Sequence, residues 1–315
     1  MEEKEQNMKK SIISWIAVLF ALLLAAVMAG CGYVGTAFEG KTVSETVALE
    51  GVDTIRIEAG GTDAVLAAGA KDGELLAEMV TYGKGPELNV SERDGVVTIA
   101  IDKPAGLSVG RQPRLAVSLP DNYEGAVEIE SGSGDVTADN LTAGDLTFDS
   151  GSGDFEVKSL KASRIDGRTS SGNIRIDAAE SGGDIALSTS SGEIRLQKAE
   201  SGGGIALKAS SGDIELNAAG SAGDVKLSTS SGDIELELAN SLGDIDLSTA
   251  SGDASVQFAG ERPGMRLDLE SASGSKTVAF ELRDLEQTKR TLKGIYGDGS
   301  RTLKIRTQSG DISVR

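Results

Sequence analysis

The stretch from Ser210 to Asp253, SSGDIELNAAGSAGDVKLSTSSGDIELELANSLGDIDLSTASGD, repeats one short pattern five times. The pattern is Gly-Asp, an aliphatic residue, one further residue and, in most copies, Leu. Copies follow one another roughly every ten residues, and the most similar copies are about twenty residues apart. Self-similarity at a fixed period of this length is typical of solenoids and related repeat arrays.

The same spacing extends over residues 131–258, where each unit contains two short runs of alternating aliphatic and polar residues. Alternation at period two predicts β-strands whose aliphatic side chains share one face. We therefore expect Ile214, Leu216, Ile234 and Leu236 to be buried and Glu235 to face solvent. The glycines that mark the units are Gly134, Gly153, Gly172, Gly192, Gly212, Gly232 and Gly252.

Two all-β architectures fit strands at this spacing. An antiparallel meander would leave one apolar face uncovered, because no segment of the repeats predicts a helix. A β-solenoid encloses its own apolar face and requires equivalent corners to recur every twenty residues instead of every ten. The corners follow this rule, since the triplet SSG begins at Ser170, Ser190, Ser210 and Ser230, whereas the corners between them have other triplets. The sequence therefore predicts a β-solenoid with about twenty residues and two short strands per coil.

The whole chain divides into four predicted segments. Residues 1–31 are predicted to be a signal or anchor segment, and residues 32–45 a linker. Residues 46–130 contain short alternating runs and predict an irregular β region that leads into the solenoid of residues 131–315. Within the solenoid, residues 261–300 break the twenty-residue spacing and predict an insert that serves as a cap or a partner site. Its charged stretch 281–295 fits either a partial helical stripe or an irregular loop.

Stacked coils would align the acidic residues that follow the marker glycines, with neighbours about 4.8 Å apart. Like charges at this distance repel, so water and salt, turn hydrogen bonds, interleaved Lys and Arg or bound cations must offset the repulsion. One hypothesis is a ladder of divalent cations at Asp213, Asp233 and Asp253, because hard cations prefer carboxylate oxygens. We favour the alternative that these aspartates cap backbone amides, because the repeats lack the spacing of calcium-binding nonapeptides. A second predicted column contains Asp145, Arg164, Asp184, Gly204, Asp224 and Asp244.

The composition excludes several classes of function. The formal net charge is −18, so the phosphate backbone of a nucleic acid would meet an acidic surface. The chain contains no His and only one Cys, so it lacks the Ser-His and Cys-His pairs of nucleophilic catalysis. Paired carboxylates can hydrolyse glycosides, but here the acidic residues recur as repeat elements and aromatic residues are scarce. We therefore expect no catalytic residues, no cofactor and no metal beyond the hypothetical cation ladder.

The N-terminus carries a targeting signal. Residues 11–30, SIISWIAVLFALLLAAVMAG, are an uncharged, mostly apolar run preceded by Lys9 and Lys10. This pattern is typical of a secretory signal or an N-terminal membrane anchor. The run ends in Met28-Ala29-Gly30-Cys31, which resembles the bacterial lipobox and implies that Cys31 is lipidated. An uncleaved helix is the alternative, since twenty residues suffice to span a bilayer. Both interpretations tether the chain to the cell membrane on its extracytoplasmic face.

Three sequence features together resemble the bacterial putative-adhesin family, a group of domain-of-unknown-function proteins related to autotransporter-adhesin-like head domains. They are LAVSLPDNYEGAVEIESGSGDVTADNLTAGDLTFDSGSGDFEV from Leu115, the recurring SSGDI, and YGDGSRTLKIRTQSGDISV from Tyr296. The resemblance covers roughly residues 45–315 and implies a right-handed β-solenoid in a membrane-anchored, extracytoplasmic setting.

This resemblance implies no catalytic residues. We therefore expect an adhesin-like interaction or structural module of the bacterial envelope, with an envelope protein or polymer as its partner. Two alternatives stay open at this point. One is an accessory or sensory protein of an envelope-stress response, and the other is a cation-dependent polymer-binding protein.

Overall fold

The computed structural model describes residues 40–82, 85–102, 113–241 and 243–315. The regular structure of these residues consists of β-strands and includes no helix. Accordingly, no helix within the described ranges has the length and apolar character needed to cross a bilayer. The predicted all-β class is confirmed. The predicted signal segment 1–31, with Cys31, lies outside the described residues.

The strands form three groups along the chain. The N-terminal end comprises β1 (Gly40–Ala48), β2 (Thr54–Gly60), β3 (Asp63–Ala68), β4 (Glu74–Tyr82), β5 (Glu87–Arg93), β6 (Val96–Asp102) and β7 (Arg114–Leu119). The repeat array comprises β8 (Ala126–Ser131), β9 (Val136–Thr142), β10 (Asp145–Ser150), β11 (Phe155–Ala162), β12 (Arg164–Thr169), β13 (Ile174–Ser181), β14 (Ile185–Thr189), β15 (Ile194–Leu196), β16 (Ala199–Ser201), β17 (Ile205–Ala209), β18 (Ile214–Ser221), β19 (Val225–Ser228), β20 (Ile234–Ser241), β21 (Ile245–Ser248) and β22 (Ala254–Phe258). The C-terminal end comprises β23 (Met265–Ser271), β24 (Lys276–Val278), β25 (Arg283–Gln287), β26 (Thr291–Tyr296), β27 (Arg301–Thr307) and β28 (Ile312–Val314).

These strands build two sheets of 14 strands each, one of which includes β16 beside β13 and β18, and every coil of the repeat array contributes to both sheets. Neighbouring coils pair in parallel and in register, so that Leu146 lies beside Val127 on one side and Ile165 on the other. The predicted β-solenoid is therefore confirmed, with equivalent residues stacked from coil to coil.

The core lies between the two sheets. Ile214, Leu216, Ile234 and Leu236 are buried as predicted, whereas Glu235 is exposed. Burial of each such aliphatic side chain contributes roughly 1.5–3 kcal/mol. The hydrophobic effect acting on these inward columns is therefore the main source of stability in the repeat array.

The C-terminal end does not follow the chain order. Strand β27 lies between β21 and β23, and β28 lies between β22 and β24. The last segment of the chain therefore forms a coil that is inserted between the repeat array and the β23–β24 coil. The predicted insert of residues 261–300 supplies that outer coil together with β25 and β26, which pair antiparallel. Residues 281–295, for which a helical stripe or a loop was expected, thus contribute strands instead.

The N-terminal end has the same arrangement in reverse. Strand β2 lies between β6 and β8, and β3 lies between β7 and β9. The β2–β3 coil is thereby inserted between the array and the outer β6–β7 coil, although it comes first in the chain. Antiparallel strands β1, β4 and β5 complete this end. Strands β2, β3, β6 and β7 therefore extend the same two sheets as the repeats.

Cross-strand charges favour the inserted order at the C-terminal end. On the outer face of one sheet, Lys304 lies beside Asp246 on one strand and Asp268 on the other. If the coils followed the chain order, Asp246 and Asp268 would be neighbours, and like charges directly opposite each other are destabilising. The full row alternates in sign and consists of Lys226, Asp246, Lys304, Asp268, Lys293 and Glu286.

The outermost strand of this sheet, β25, is poorly suited to further pairing. Its pairing with β26 shifts register between Arg283 and Glu286, and Asp284 has a positive φ of 50°. Bulges and charged residues are common devices that stop exposed edges from recruiting another strand. Leu285, also in β25, is an exposed large apolar side chain.

Candidate functional site

The first acidic column runs along one corner of the solenoid. Its carboxylates accept hydrogen bonds from the backbone amide of the equivalent residue one coil further on. The amide of Asp154 donates to Oδ1 of Asp135 at 2.9 Å, and that of Asp253 donates to Oδ1 of Asp233 at 2.7 Å. These bonds tie successive corners together, because each aspartate caps an amide that lies at the end of a strand.

The column continues into both ends of the fold. Oδ1 of Asp63 accepts from the amide of Asp135 at 3.2 Å, across 72 residues of sequence. Oδ1 of Asp253 accepts from the amide of Asp311 at 2.7 Å, and Asp311 in turn accepts from the amide of Ser275. The hydrogen bonds from Ser275 lower the pKa of Asp311, since they favour its charged form.

The three aspartates named for a cation ladder lie on consecutive coils. One oxygen of Asp213 accepts from the amide of Asp233 at 2.8 Å, and Asp233 and Asp253 make the same contact with the next coil. Within the described ranges, no group of three or more Asp, Glu, His or Cys is arranged to hold a metal ion. The geometry thus displays amide capping by these aspartates, and the cation ladder stays a prediction.

The second predicted column lies on the opposite corner. Asp184 accepts from the amide of Gly204 at 2.8 Å, and Asp224 accepts from that of Asp244 at 3.1 Å. Asp244 accepts from the amide of Thr302 at 2.8 Å, which connects the array to the inserted coil. At both corners, therefore, an aspartate accepts a hydrogen bond from a backbone amide of the next coil.

Arginines on the outer face offset part of the acidic charge. Arg175 lies 3.0 Å from Glu156, 3.5 Å from Asp154 and 3.5 Å from Glu193. Arg195 lies 2.7 Å from both Glu193 and Glu215. The two guanidinium groups bridge successive coils, so interleaved cations are one source of the relief that the stacked carboxylates require.

A column of buried hydroxyl groups lies at the Ser-Gly corners, and the sequence analysis did not find it. Thr189 accepts from the amide of Gly192 at 2.9 Å and donates to the carbonyl of Gly172 at 3.1 Å. The residues of this column lie three positions before the marker glycines, and this fixed offset is visible in the sequence. The column's hydroxyl-bearing members are Ser131, Ser150, Thr169, Thr189, Thr229 and Thr249.

The SSG corners take two conformations, and the change occurs at the coil of Ala209, although Gly232 and Gly252 keep the second conformation with Thr229 and Thr249 before them. The amides of Gly172 and Gly192 donate to the Thr hydroxyl of their own coil, but Ala209 leaves Gly212 without that acceptor. Gly212 instead donates to the carbonyl of Ser231 at 2.9 Å, and the following coils repeat this bond. The new corner requires glycine, since Gly252 has a φ of +149° and a Cβ there would lie 2.0 Å from the carbonyl oxygen of Gly232.

An open groove of about 740 Å³ lies where the N-terminal end meets the repeat array. Asp53, Glu124, Asp145 and Ser163 contribute polar groups to its lining, and Tyr123 lies among them. The Tyr123 hydroxyl is buried and has no hydrogen-bond partner among the described residues. Burial and, to a smaller extent, the charge of Asp53 raise the pKa of Tyr123 to about 12, so the phenol is neutral at physiological pH.

Among three comparisons with known proteins, one identifies the family of this chain. The family model Toastrack DUF4097 matches residues 47–248 and 239–315. A search of curated proteins finds no match. Solved structures described as putative adhesins resemble the chain at low sequence identity. The protein from Bacteroides fragilis NCTC 9343 is 14% identical, with coverage of 89% of this chain and 100% of that chain and a TM-score of 0.38. A protein from Parabacteroides distasonis ATCC 8503 is 13% identical over 88% of this chain and 98% of that chain, with a TM-score of 0.36.

A third solved structure, described as a putative cell adhesion protein from Clostridium sporogenes ATCC 15579, is 13% identical over 88% of this chain and 99% of that chain, with a TM-score of 0.25. These overall similarities are too low to transfer a role. The family match, in contrast, extends over the N-terminal end, the repeat array and the C-terminal end. The chain therefore belongs to the Toastrack family DUF4097.

Proposed function

We propose that this protein is a non-enzymatic, adhesin-like interaction module that is tethered to the extracytoplasmic face of the bacterial cell membrane. The observation that carries the proposal is the continuous stack of coils, which presents regular outer faces and bonded corners instead of an enclosed set of reactive groups. The corner carboxylates are engaged in capping the fold.

The tether is a separate part of the proposal. It rests on the apolar run of residues 11–30 and on Cys31 at the end of the lipobox-like motif. Lipidation of Cys31 would hold the module at the membrane after cleavage, whereas an uncleaved helix would hold it without lipid.

Metabolic labelling with a palmitate analogue tests the tether. We expect the wild-type protein to take up the label, and the Cys31→Ala variant to stay unlabelled and unprocessed. An unlabelled wild-type protein in the membrane fraction would contradict lipidation and favour the uncleaved helix.

Crosslinking in intact cells followed by affinity purification tests the interaction role. We expect a specific envelope protein or polymer to be recovered with the wild-type protein, and its recovery to fall when outward residues of the array are changed. An envelope-stress accessory would behave differently, since its deletion would alter a stress reporter's response to wall-active agents without any loss of adhesion. A cation-dependent polymer binder would release its partner when divalent cations are chelated.

A further inference from the structure

Three aromatic rings converge on one arginine at the C-terminal end. The guanidinium carbon of Arg262 lies 3.9 Å from the ring centre of Phe280, 5.2 Å from that of Tyr296 and 5.6 Å from that of Phe258. Phe280 and Tyr296 pack edge to face, with ring centres 4.9 Å apart. Rings within about 6 Å of a cation attract it through their negative faces, so these three residues form an aromatic cage.

The arginine in the cage is an imperfectly satisfied occupant. Its Nε is buried and has no hydrogen-bond partner among the described residues. The attraction of the rings and the cost of a buried, unpaired N–H are of similar size, and therefore they largely cancel. A cation of the same shape whose N–H groups stay paired has an advantage over Arg262.

Arg262 also lies where it can leave with little damage to the sheets. It belongs to the crossing segment, residues 259–264, which joins β22 to β23 and lies outside both strands. The rings come from the end of β22, from the residues after β24 and from the end of β26. Two rings of the aromatic cage, Phe258 and Tyr296, therefore lie on strands, whereas the occupant is supplied by a connecting segment.

Charge favours the approach of a cationic partner from a distance. Residues 40–258 contain 37 Asp and Glu against 17 Lys and Arg, a formal charge of −20, whereas residues 259–315 contain 8 against 11. An acidic surface of this size raises the local concentration of basic segments and speeds their association. Phe258 of the aromatic cage is the last residue of the acidic region, whereas Phe280 and Tyr296 belong to the region that follows.

We propose that the aromatic cage of Phe258, Phe280 and Tyr296 is a binding site for an arginine side chain of a partner polypeptide, and that Arg262 closes this site until the partner displaces it. The choice of arginine follows from the present occupant, because the cage already accommodates a planar guanidinium. The inference deepens the proposed interaction function and names the chemistry of one partner.

Titration calorimetry on the full-length protein in detergent, at fixed ionic strength, tests the site. The probes are N-acetyl-arginine amide and tetramethylammonium. We expect Arg262→Ala to bind the arginine probe at least tenfold more tightly than the wild type, and Arg262→Ala combined with Phe280→Ala to lose that binding. The variant Arg266→Ala, which removes a nearby arginine outside the cage, serves as the matched control and should bind like the wild type.

Three results would overturn the proposal. The first is that folded Arg262→Ala, shown by an unchanged far-UV circular dichroism spectrum, binds the arginine probe no more tightly than the wild type. The second is that the double variant still binds this probe. The third is that tetramethylammonium binds as well as the arginine probe. If Arg262→Ala does not fold, the ring-shifted NMR signals of Arg262 in the wild type decide. They should move toward random-coil positions as the arginine probe is added, and signals that do not move contradict the site. Failure here leaves the cellular crosslinking result intact, so the two proposals fail separately.

Discussion

The repeat array and the C-terminal end use the same coil but organise it differently. In the array, each coil pairs with the coils that precede and follow it in the chain, about twenty residues away. At the C-terminal end, β27 pairs with β21, and the bond between Thr302 and Asp244 spans 58 residues. In the array, therefore, each coil pairs with its neighbours in sequence. At the C-terminal end, two coils could pair with the last coil of the array, and only one of them does.

The difference shows what specifies each region. In the array, any neighbouring coil offers an equivalent inward column, so stacking alone determines the order. At the end, two coils with similar apolar faces compete for the same edge of the array. Their outward charges differ. Lys304 lies between Asp246 and Asp268 and is attracted to both, whereas chain order would place the two aspartates side by side, where they repel. The rings of Phe258, Phe280 and Tyr296 then surround Arg262 of the crossing segment at the junction of the two regions.

The largest expected effect comes from placing a carboxylate in the core of each region. Ile234 and Ile305 are both fully buried, so Asp at either position should cost at least the roughly 2–7 kcal/mol of burying an unpaired neutral polar group. Ile305→Asp should detach the C-terminal end while the array stays folded, because coils contact only their neighbours. Ile234→Asp lies within the array and should therefore increase hydrogen exchange in the coils on both sides of the substituted coil. Hydrogen exchange read by mass spectrometry separates these patterns.

The matched control for the core substitutions is Glu235→Lys, which changes an exposed residue beside Ile234 and should alter stability by only about 0.5 kcal/mol. Equal effects of Glu235→Lys and Ile234→Asp would contradict the assignment of inward and outward faces.

The next effect concerns the N-terminal crossing between β7 and β8, where Tyr123 is buried. An unfolded tyrosine titrates near 10 and folded Tyr123 near 12, so the folded state retains a proton that the unfolded state loses. This contribution to stability is complete below pH 10 and is lost as the pH rises to 12, a change of roughly 2–3 kcal/mol. Tyr123→Phe should be near neutral at pH 7 and should lose less stability than the wild type in alkali, as measured by urea unfolding. Parallel losses in both proteins would contradict the buried phenol.

A smaller effect should follow from reversing the charge of Lys304 on the inserted strand β27, which lies between β21 and β23. Lys304→Glu would place three acidic residues side by side, with an expected cost of about 1–2 kcal/mol for its two cross-strand pairs. Added salt should reduce this cost, since the side chains are partly solvated. Lys226→Glu, which has Asp246 on only one side and Ala206 on the other, should cost about half as much. Thermal unfolding at low and high salt provides the measurement, and an equal cost for both variants would argue against the charge-based choice of order.

Within the array, Ala209 interrupts the column of buried hydroxyl groups. Ala209→Thr supplies a hydroxyl that can donate to the carbonyl of Gly192, as Thr229 donates to that of Gly212 at 3.0 Å. We expect a gain of about 0.5–1 kcal/mol, the net value of one hydrogen bond. Ala209→Val has the same shape without the hydroxyl and should give no such gain in a melting experiment. If Val stabilises as much as Thr, packing and not the hydrogen bond is responsible.

The smallest expected effect is the response of the acidic corner to calcium. Because the carboxylates cap amides, calcium and sodium chloride at matched ionic strength should shift the melting temperature alike. Asp213→Asn combined with Asp233→Asn retains an oxygen acceptor and should leave the calcium response unchanged. A saturable, calcium-specific shift that the double variant loses would revive the cation ladder, since binding to the folded state alone stabilises it.

Much of the fold is predictable from local spacing. The marker glycines and the alternating aliphatic residues indicate two strands per coil, and burial of Ile214 and Leu236 follows from side-chain alternation. The capping role of the corner aspartates was likewise predictable, because short acidic side chains accept from nearby amides in turns. The hydroxyl column was missed although its residues recur at a fixed offset, since their burial depends on how the corner turns inward.

The sequence by itself determined the all-β class, the period of the coil and the face to which each repeat side chain points. Only the tertiary structure decided the inserted coils at both ends, the change of corner at Gly212 and the aromatic cage around Arg262. The physical reason is the range of the interactions. A period is set by neighbours a few residues apart, whereas the position of β27 and the encounter of Phe258, Phe280 and Tyr296 depend on which distant surfaces pack best once the coils have formed.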